Sequence, residues 1–260
     1  MSKYDTVLME TNDQVALITI NRPDAMNSFD AGLRSDLAAA LRDASFDDAV
    51  RVIVLTGTGR SFSAGADLNA GLSEGSYTVE EQLLIEYRPI FDAITRMKKP
   101  VVAAINGSAA GVGLSLALAC DMVIMSDKAF LLSPFTTISL VPDGGCNWLL
   151  VHQLGYKKAF ELSILSERIQ AQTALELGLV NRVVPADELG AEAQKLAQQI
   201  ANRAPQSVSA TKKTMRFASN HSFNETFEME AELQRQLVGS PDNVEGINAF
   251  LENREPKFTG

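Results

Sequence analysis

At 260 residues, with 46% hydrophobic and 21% charged residues, the chain carries enough apolar material for one large domain with a real core. Its formal charge of −9 argues against nucleic acid or an anionic membrane surface as a general partner, and no apolar run approaches the ~20 residues that a bilayer span requires. The start, Met1-Ser-Lys-Tyr-Asp5, lacks the regions of a signal peptide. Cys120 and Cys146 have neither a disulfide framework nor metal-ligand spacing, so a reducing, cytoplasmic setting without a bound metal is expected. An anionic small ligand stays open, held by local basic groups and backbone dipoles.

In chain order, Val15 to Ile20 reads as a strand ended by Asn21-Arg-Pro-Asp24. Leu33, Leu37 and Leu41 mark one face of a helix from about Asp30 to Ala44. A strand at Val50 to Leu55 follows. Thr78-Val-Glu-Glu81 has capping-box form and opens a helix toward Met97, kinked or broken at Pro89. Next come a strand at Val101 to Ile105, a turn at Asn106-Gly107, a small-residue helix opening near Gly111, and a strand at Met122 to Met125. This alternation predicts an α/β fold with crossover units. After Pro142 the pattern turns helical. Helices are predicted at Lys158 to Leu165, Ala171 to Leu177 (closed by Gly178), Asp187 to Asn202, Ser207 to Ala218, Phe223 to Leu237, and from Ser240-Pro241 through Leu251, with a short strand at Leu179 to Val184. No internal repeat interrupts this order.

Two glycine-rich turns carry the chemistry. One follows Val101 to Ile105 and runs through Asn106-Gly-Ser-Ala-Ala-Gly-Val-Gly113; the other follows Val52 to Leu55 and runs through Gly57 to Asp67. A strand that delivers a helix N-terminus through such a turn leaves backbone N–H groups unpaired. Two such turns can supply the paired donors that an enolate oxygen needs. Gly57-Thr-Gly59 lacks the third glycine and acidic partner of a dinucleotide turn. His152 and His221 belong to no nucleophile motif, which leaves a hydrolytic triad without support.

Five motifs in order, Asn21-Arg-Pro-Asp-Ala-Met-Asn27, Ser63-Ala-Gly-Ala-Asp67, Lys99-Pro to Gly113, Ala174-Leu-Glu-Leu-Gly-Leu-Val180 and Arg254-Glu-Pro-Lys-Phe258, resemble the crotonase superfamily, the enoyl-CoA hydratase/isomerase group. The resemblance implies the crotonase (ClpP-like) spiral of ββα units, here residues 1–190, with a helical C-terminal region, residues 191–260, that builds trimers or hexamers. It implies an acyl-CoA thioester as substrate, with coenzyme A part of that substrate and no separate cofactor. The enolate-binding donors carry over to the backbone N–H groups of Ala66 and Val112, the latter where many members have glycine. Arg22, Lys257 and the backbone around Ala25, Met26, Ala64, Asp67 and Leu68 match positions around the nucleotide, Lys257 reaching across a subunit boundary. The competing reading of Arg22 and Lys257 is plain solvated surface charge, and of Asp67 a turn cap. The segment Gly71 to Glu80 is expected to border the acyl pocket.

The departures from the family pattern direct the choice of reaction. The two glutamates that work together in the hydratases fall at Ser115 and Phe135, neither of which can do carboxylate acid–base chemistry. Instead Ser133-Pro-Phe to Val141-Pro-Asp-Gly-Gly145 is similar to the isomerase branch, the Δ3,Δ2-enoyl-CoA isomerases and the ring-epoxide isomerases of phenylacetate breakdown, whose single carboxylate matches Asp143. One base suffices for an allylic shift. If Phe135, Val141 and Trp148 enclose Asp143, desolvation raises its pKa and strengthens it as a base. The expected activity is therefore double-bond isomerisation of an enoyl-CoA. Ring or epoxide isomerisation, and a catalytically weak acyl-CoA-binding paralogue, are the alternatives.

Overall fold

The computed structural model describes residues 3–69 and 78–260. It opens on a hairpin, β1 (Val7–Asn12) and β2 (Val15–Ile20), whose two turn residues Asp13 and Gln14 both take positive φ. A two-residue turn of that kind matches the twist of the paired strands. A short 3-10 turn at Pro23–Ala25 leads to α1 (Ala31–Phe46), where the Asp30 carboxylate caps the helix by accepting from the Leu33 N–H at 2.8 Å. Leu33, Leu37 and Leu41 are fully buried, as their four-residue spacing predicts.

The chain then repeats one manoeuvre. A long strand enters a large sheet, a corner follows, and a three-residue strand enters a second sheet. β3 (Val52–Gly57) leads to β4 (Ser61–Ser63) in this way; then α2 (Val79–Gln82) runs through a wide π-turn at Leu83–Tyr87 into α3 (Arg88–Arg96). The capping box at Thr78 and Glu81 forms as expected. Pro89 does not break the helix. Upstream of it the Arg88 N–H reaches back five residues to the Leu83 carbonyl, and this widened turn absorbs a proline that has no N–H to donate. β5 (Val101–Ile105) and β6 (Ser108–Ala110) precede α4 (Val112–Ala119), and β7 (Met122–Ser126) and β8 (Phe130–Leu132) precede α5 (Cys146–Leu165), which bends at Gly155. β9 (Ile169–Gln170), α6 (Ala171–Glu176) and β10 (Arg182–Val184) close both sheets.

The large sheet has the order β1-β2-β3-β5-β7-β10 and is parallel except for the hairpin; the small one has the order β4-β6-β8-β9. The central strand β5 is buried along its whole length, a continuous apolar run suited to a sheet covered on both faces. One cover is the main core with α1. The other is α7 (Leu189–Ala201), which sets Leu189, Ala193, Leu196 and Ala197 against Val52, Val54, Val102 and Ile124. α8 (Pro205–Ala218), α9 (Phe223–Leu237) and α10 (Pro241–Leu251) follow, and α8 and α9 contain no buried residue. α8 is pinned to the core by charge: Lys212 Nζ lies 2.7 Å from the Asp121 carboxylate and also donates to the Ile94 and Lys99 carbonyls, while Arg216 reaches Asp121 at 2.8 Å and the Ala119 carbonyl at 2.7 Å.

Candidate active site

The two glycine turns meet where β4 and β6 end. Phe29 N–H donates to the Gly65 carbonyl at 2.7 Å and Asp67 N–H donates to the Phe29 carbonyl at 3.0 Å, which brackets Ala66 and leaves its own N–H unused. Gly111, with φ 56° and ψ −131°, turns the chain out of β6 and stands as N-cap of α4 without a side chain to cap it. A Cβ added to Gly65 would lie 3.0 Å from the Ala110 carbonyl oxygen, 3.4 Å from Gly111 Cα and 3.5 Å from Val112 N, so the two turns are in contact. Among the described residues, neither the Ala66 N–H nor the Val112 N–H donates a hydrogen bond. Two neighbouring free donors, one of them at the positive end of a helix dipole, form a place for a developing oxyanion.

Asp143 is tied to the same helix. The Ser115 hydroxyl donates to the Asp143 carbonyl at 2.8 Å, and the Cys146 N–H donates to it at 3.0 Å. Ser115 stands three residues beyond Val112, so this loop lies about one helical turn, ~5 Å, along α4 from the Val112 donor. The Asp143 Oδ1 is buried and has no hydrogen-bond partner among the described residues. Burial pushes the carboxyl up to about 6, opposed only by its own backbone N–H. The same enclosure acts on its neighbours. Burial, against the pull of Arg34 and with the help of Asp143, takes the Tyr87 phenol up to about 12; burial takes the Cys146 thiol up to about 11.

The enclosure differs in part from the one expected from sequence. Val141 is 71% exposed, and Trp148 is 40% exposed with its ring stacked on His152 at 3.9 Å. Phe135 is buried but lies by Gly111. The residues gathered near Asp143 are Ser115, Cys146, Tyr87 and Phe91; a Cβ on Gly144 would stand 2.7 Å from Phe91 Cζ and 3.0 Å from Ser115 Cβ. Loop residues next to a proline in sequence point outward here, and the covering comes from the α2–α3 helix some fifty residues upstream.

Residues 10–260 match the enoyl-CoA hydratase/isomerase family. The chain belongs to that family. It is 39% identical over 257 residues to a probable enoyl-CoA hydratase of Rhodobacter capsulatus, covering 99% of each, and 34% identical to 1,2-epoxyphenylacetyl-CoA isomerase of Escherichia coli, covering 98% of each. An enoyl-CoA hydratase subunit of Geobacillus kaustophilus superposes with a TM-score of 0.93 at 32% identity, over 100% of both chains. The fold is thus the crotonase spiral, and an acyl-CoA thioester fits the family.

Of the residues expected around the nucleotide, most come together. Ala64 N–H donates to the Met26 carbonyl at 3.0 Å, Met26 takes positive φ after Ala25, and Leu68 is 56% exposed beside Asp67. Arg22 is engaged within the chain: it pairs with Asp30 at 2.7 Å and Asp67 at 3.2 Å and donates to the Ser28 carbonyl. Burial works against the Asp67 carboxylate, yet Arg22, the Asn69 N–H and the Ser28 hydroxyl together hold it below its usual range. Asp67 caps its own turn through Asn69 at 3.1 Å. Lys257 stands elsewhere. Its neighbour Phe258 accepts from Arg51 at 2.9 Å, at the entry end of β3, whereas Arg22 lies past the exit of β2. Those ends are a strand length apart, roughly 20 Å, so within one chain Lys257 is remote from the site. Residues 71–77, most of the segment expected to border the acyl pocket, lie outside the described residues.

Sequence reasoning missed Asn27. It is fully buried at φ 56°, donates to the Thr58 and Ser61 carbonyls at 3.0 and 2.6 Å, and accepts from the Arg22 N–H at 2.9 Å. It therefore knots the first turn to the second. Its place after Pro-Asp-Ala-Met, a run that must reverse direction, was the available signal.

Proposed function

We propose that this chain is an enoyl-CoA isomerase that moves a carbon–carbon double bond from the Δ3 to the Δ2 position. The observation that carries the reading is the Asp143 carboxylate, buried and with an oxygen that has no hydrogen-bond partner among the described residues, beside two free backbone donors. In this reading the thioester oxygen sits against the Ala66 and Val112 N–H groups. Asp143 takes a proton from C2, the electron pair spreads over the dienolate, and the same carboxyl returns the proton at C4. With Ser115 and Phe135 where the hydratases have glutamates, no second carboxylate is available to direct water. The 34% identical epoxide isomerase favours a second reading, isomerisation of an epoxide or ring in an aromatic acyl-CoA, which the same carboxylate can serve.

We also propose that the protein works as a trimer or hexamer in the cytoplasm. Phe223, Phe227 and Phe250 on α9 and α10 are 80%, 59% and 82% exposed, more apolar surface than a single chain leaves bare without a partner. No described helix is long and apolar enough to cross a membrane.

The test is incubation with β,γ-unsaturated aliphatic and aromatic acyl-CoA thioesters in deuterated water. Conversion to conjugated products with deuterium at C2 or C4 is expected. Addition of water across the conjugated bond, without exchange, would return the chain to the hydratases. No turnover of any thioester that nonetheless binds would make it a paralogue that only binds.

A further inference from the structure

Two chambers lie side by side next to the Asp143 loop. The nearer, of about 390 Å³, is bordered by Gly144 and Gly145, by Phe91 of α3 and by Arg216 of α8. The larger, of about 620 Å³, continues beneath α8. Trp148, Leu149, Arg216 and Ser219 line both, so the two are neighbours that share a wall. Either is large enough for part of a small ligand.

The nearer chamber has an unusual charge. Arg96 and Arg216 line it and no carboxylate does, in a chain whose net charge is −9. The carboxylates behind these arginines are each shared by two cations. Asp92 faces Arg88 at 3.6 Å and Arg96 at 3.4 Å; Asp121 faces Lys212 at 2.7 Å and Arg216 at 2.8 Å. A surplus of positive charge therefore surrounds the chamber. Arg216 engages its neighbours through Nη2, and among the described residues its Nε and Nη1 make no hydrogen bond. The same chamber is also lined by Phe91, Ala119, Trp148 and Leu149, which suit methylene groups, and by the polar Thr95, Ser219 and Asn220.

We propose that this chamber receives the far end of the acyl group and that this end carries a carboxylate, so that the preferred substrates are ω-carboxyl acyl-CoA thioesters. This rests on the acyl-CoA reading above and names its substrate class. A guanidinium presents forked donors that fit a carboxylate in bidentate fashion. A neutral alkyl end in the same place would strip water from the half-buried Arg216 guanidinium and offer its unused Nε and Nη1 no acceptor. The charge therefore selects for the dicarboxylic class and against the simple fatty class of equal length.

Trp148 is the chain's single tryptophan and lines both chambers, so its fluorescence reports occupancy without turnover. The probes are saturated pairs of equal length: butyryl- and succinyl-CoA, hexanoyl- and adipyl-CoA, octanoyl- and suberyl-CoA. At one length or more, the ω-carboxyl thioester should bind at least tenfold tighter than its neutral partner. That preference should shrink to threefold or less in Arg216→Met and weaken at least threefold in Arg96→Met. Arg96 is an exposed side chain whose loss leaves the core intact, so this variant decides the matter if Arg216→Met fails to fold. Equal or tighter binding of the neutral partner at every length overturns the assignment, as does a preference that survives the substitutions. Binding of none of the six thioesters overturns the acyl-CoA reading and this assignment with it.

Discussion

Replacing Asp143 with asparagine should make the protein slower and should shift its stability relative to the parent upward as pH rises from 4 to 7. Burial holds the carboxyl at about 6 against an ordinary 3.8, so the folded chain binds this proton more tightly than the unfolded one. Each tenfold difference in proton affinity is about 1.4 kcal/mol, which amounts to about 3 kcal/mol for this group. Because the folded value is the raised one, that stabilisation is complete below about pH 4 and is lost as pH rises through 6. The amide of the Asp143→Asn variant does not titrate. Its buried N–H groups lack partners at a cost of about 1–3 kcal/mol, but that cost is the same at every pH. The informative quantity is therefore the difference in unfolding free energy between variant and parent, measured by urea denaturation at matched protein concentration across pH 4 to 7. It should move in favour of the variant by roughly 2 to 2.5 kcal/mol over that window, since part of the change falls below pH 4. Isomerisation should fall ~10² to 10⁴-fold, the range for a positioned general base, and deuterium exchange at C2 and C4 should cease. In the parent, kcat/KM should rise with pH through about 6, as the base loses its proton. A difference in stability that stays flat from pH 4 to 7, or turnover near the parent's in Asp143→Asn, would refute the reasoning.

Val112→Pro removes one backbone donor at the first residue of α4, a position where proline is compatible with a helix. Turnover should drop about 10² to 10³-fold while the circular dichroism spectrum is preserved; undiminished activity would take Val112 out of the oxyanion site. Lys212→Met leaves the half-buried Asp121 carboxylate with Arg216 alone and should lower the stability of α8 docking by about 1–3 kcal/mol in denaturation experiments. Sedimentation at micromolar concentration should give a trimer or hexamer, and Phe223→Asp combined with Phe227→Asp should shift it toward monomer. A parent that sediments as a monomer defeats the assembly proposal.

Several helices were legible because their ends are written in local chemistry. Asp30, Thr78 and Ser240 each cap the helix they precede, and Leu33, Leu37 and Leu41 face the core at helical spacing. By contrast α5 begins at Cys146, twelve residues before the predicted start at Lys158, and its uncapped start after two glycines gives no local signal. The small sheet was not legible. Ser61–Ser63 and Ser108–Ala110 are three-residue strands of mostly small side chains, with neither length nor alternation to announce them, and they become strands only by pairing with each other. The glycine turns announced unpaired N–H groups, because an unpaired N–H is a property of local backbone geometry, but it was the family resemblance that pointed to Ala66 and Val112 in particular. The surroundings of Asp143 could not be placed. Sequence neighbours such as Val141 proved exposed, while Tyr87 and Phe91 arrive from a distant helix whose path depends on the π-turn before Pro89.

Arg22 sits between two carboxylates, Asp30 and Asp67, so this stretch of the turn carries more negative than positive charge. If this is where the nucleotide lies, a polyanion approaching a lone chain meets backbone donors and the exposed Arg60 beside Met26, set against three carboxylates at Asp24, Asp30 and Asp67. If Lys257 of a neighbouring subunit adds a further cation, capture of the thioester and association of subunits become linked equilibria. Each then strengthens the other by the same free energy. Affinity for coenzyme A thioesters would depend on how concentrated the protein is, and dilution would act as an inhibitor.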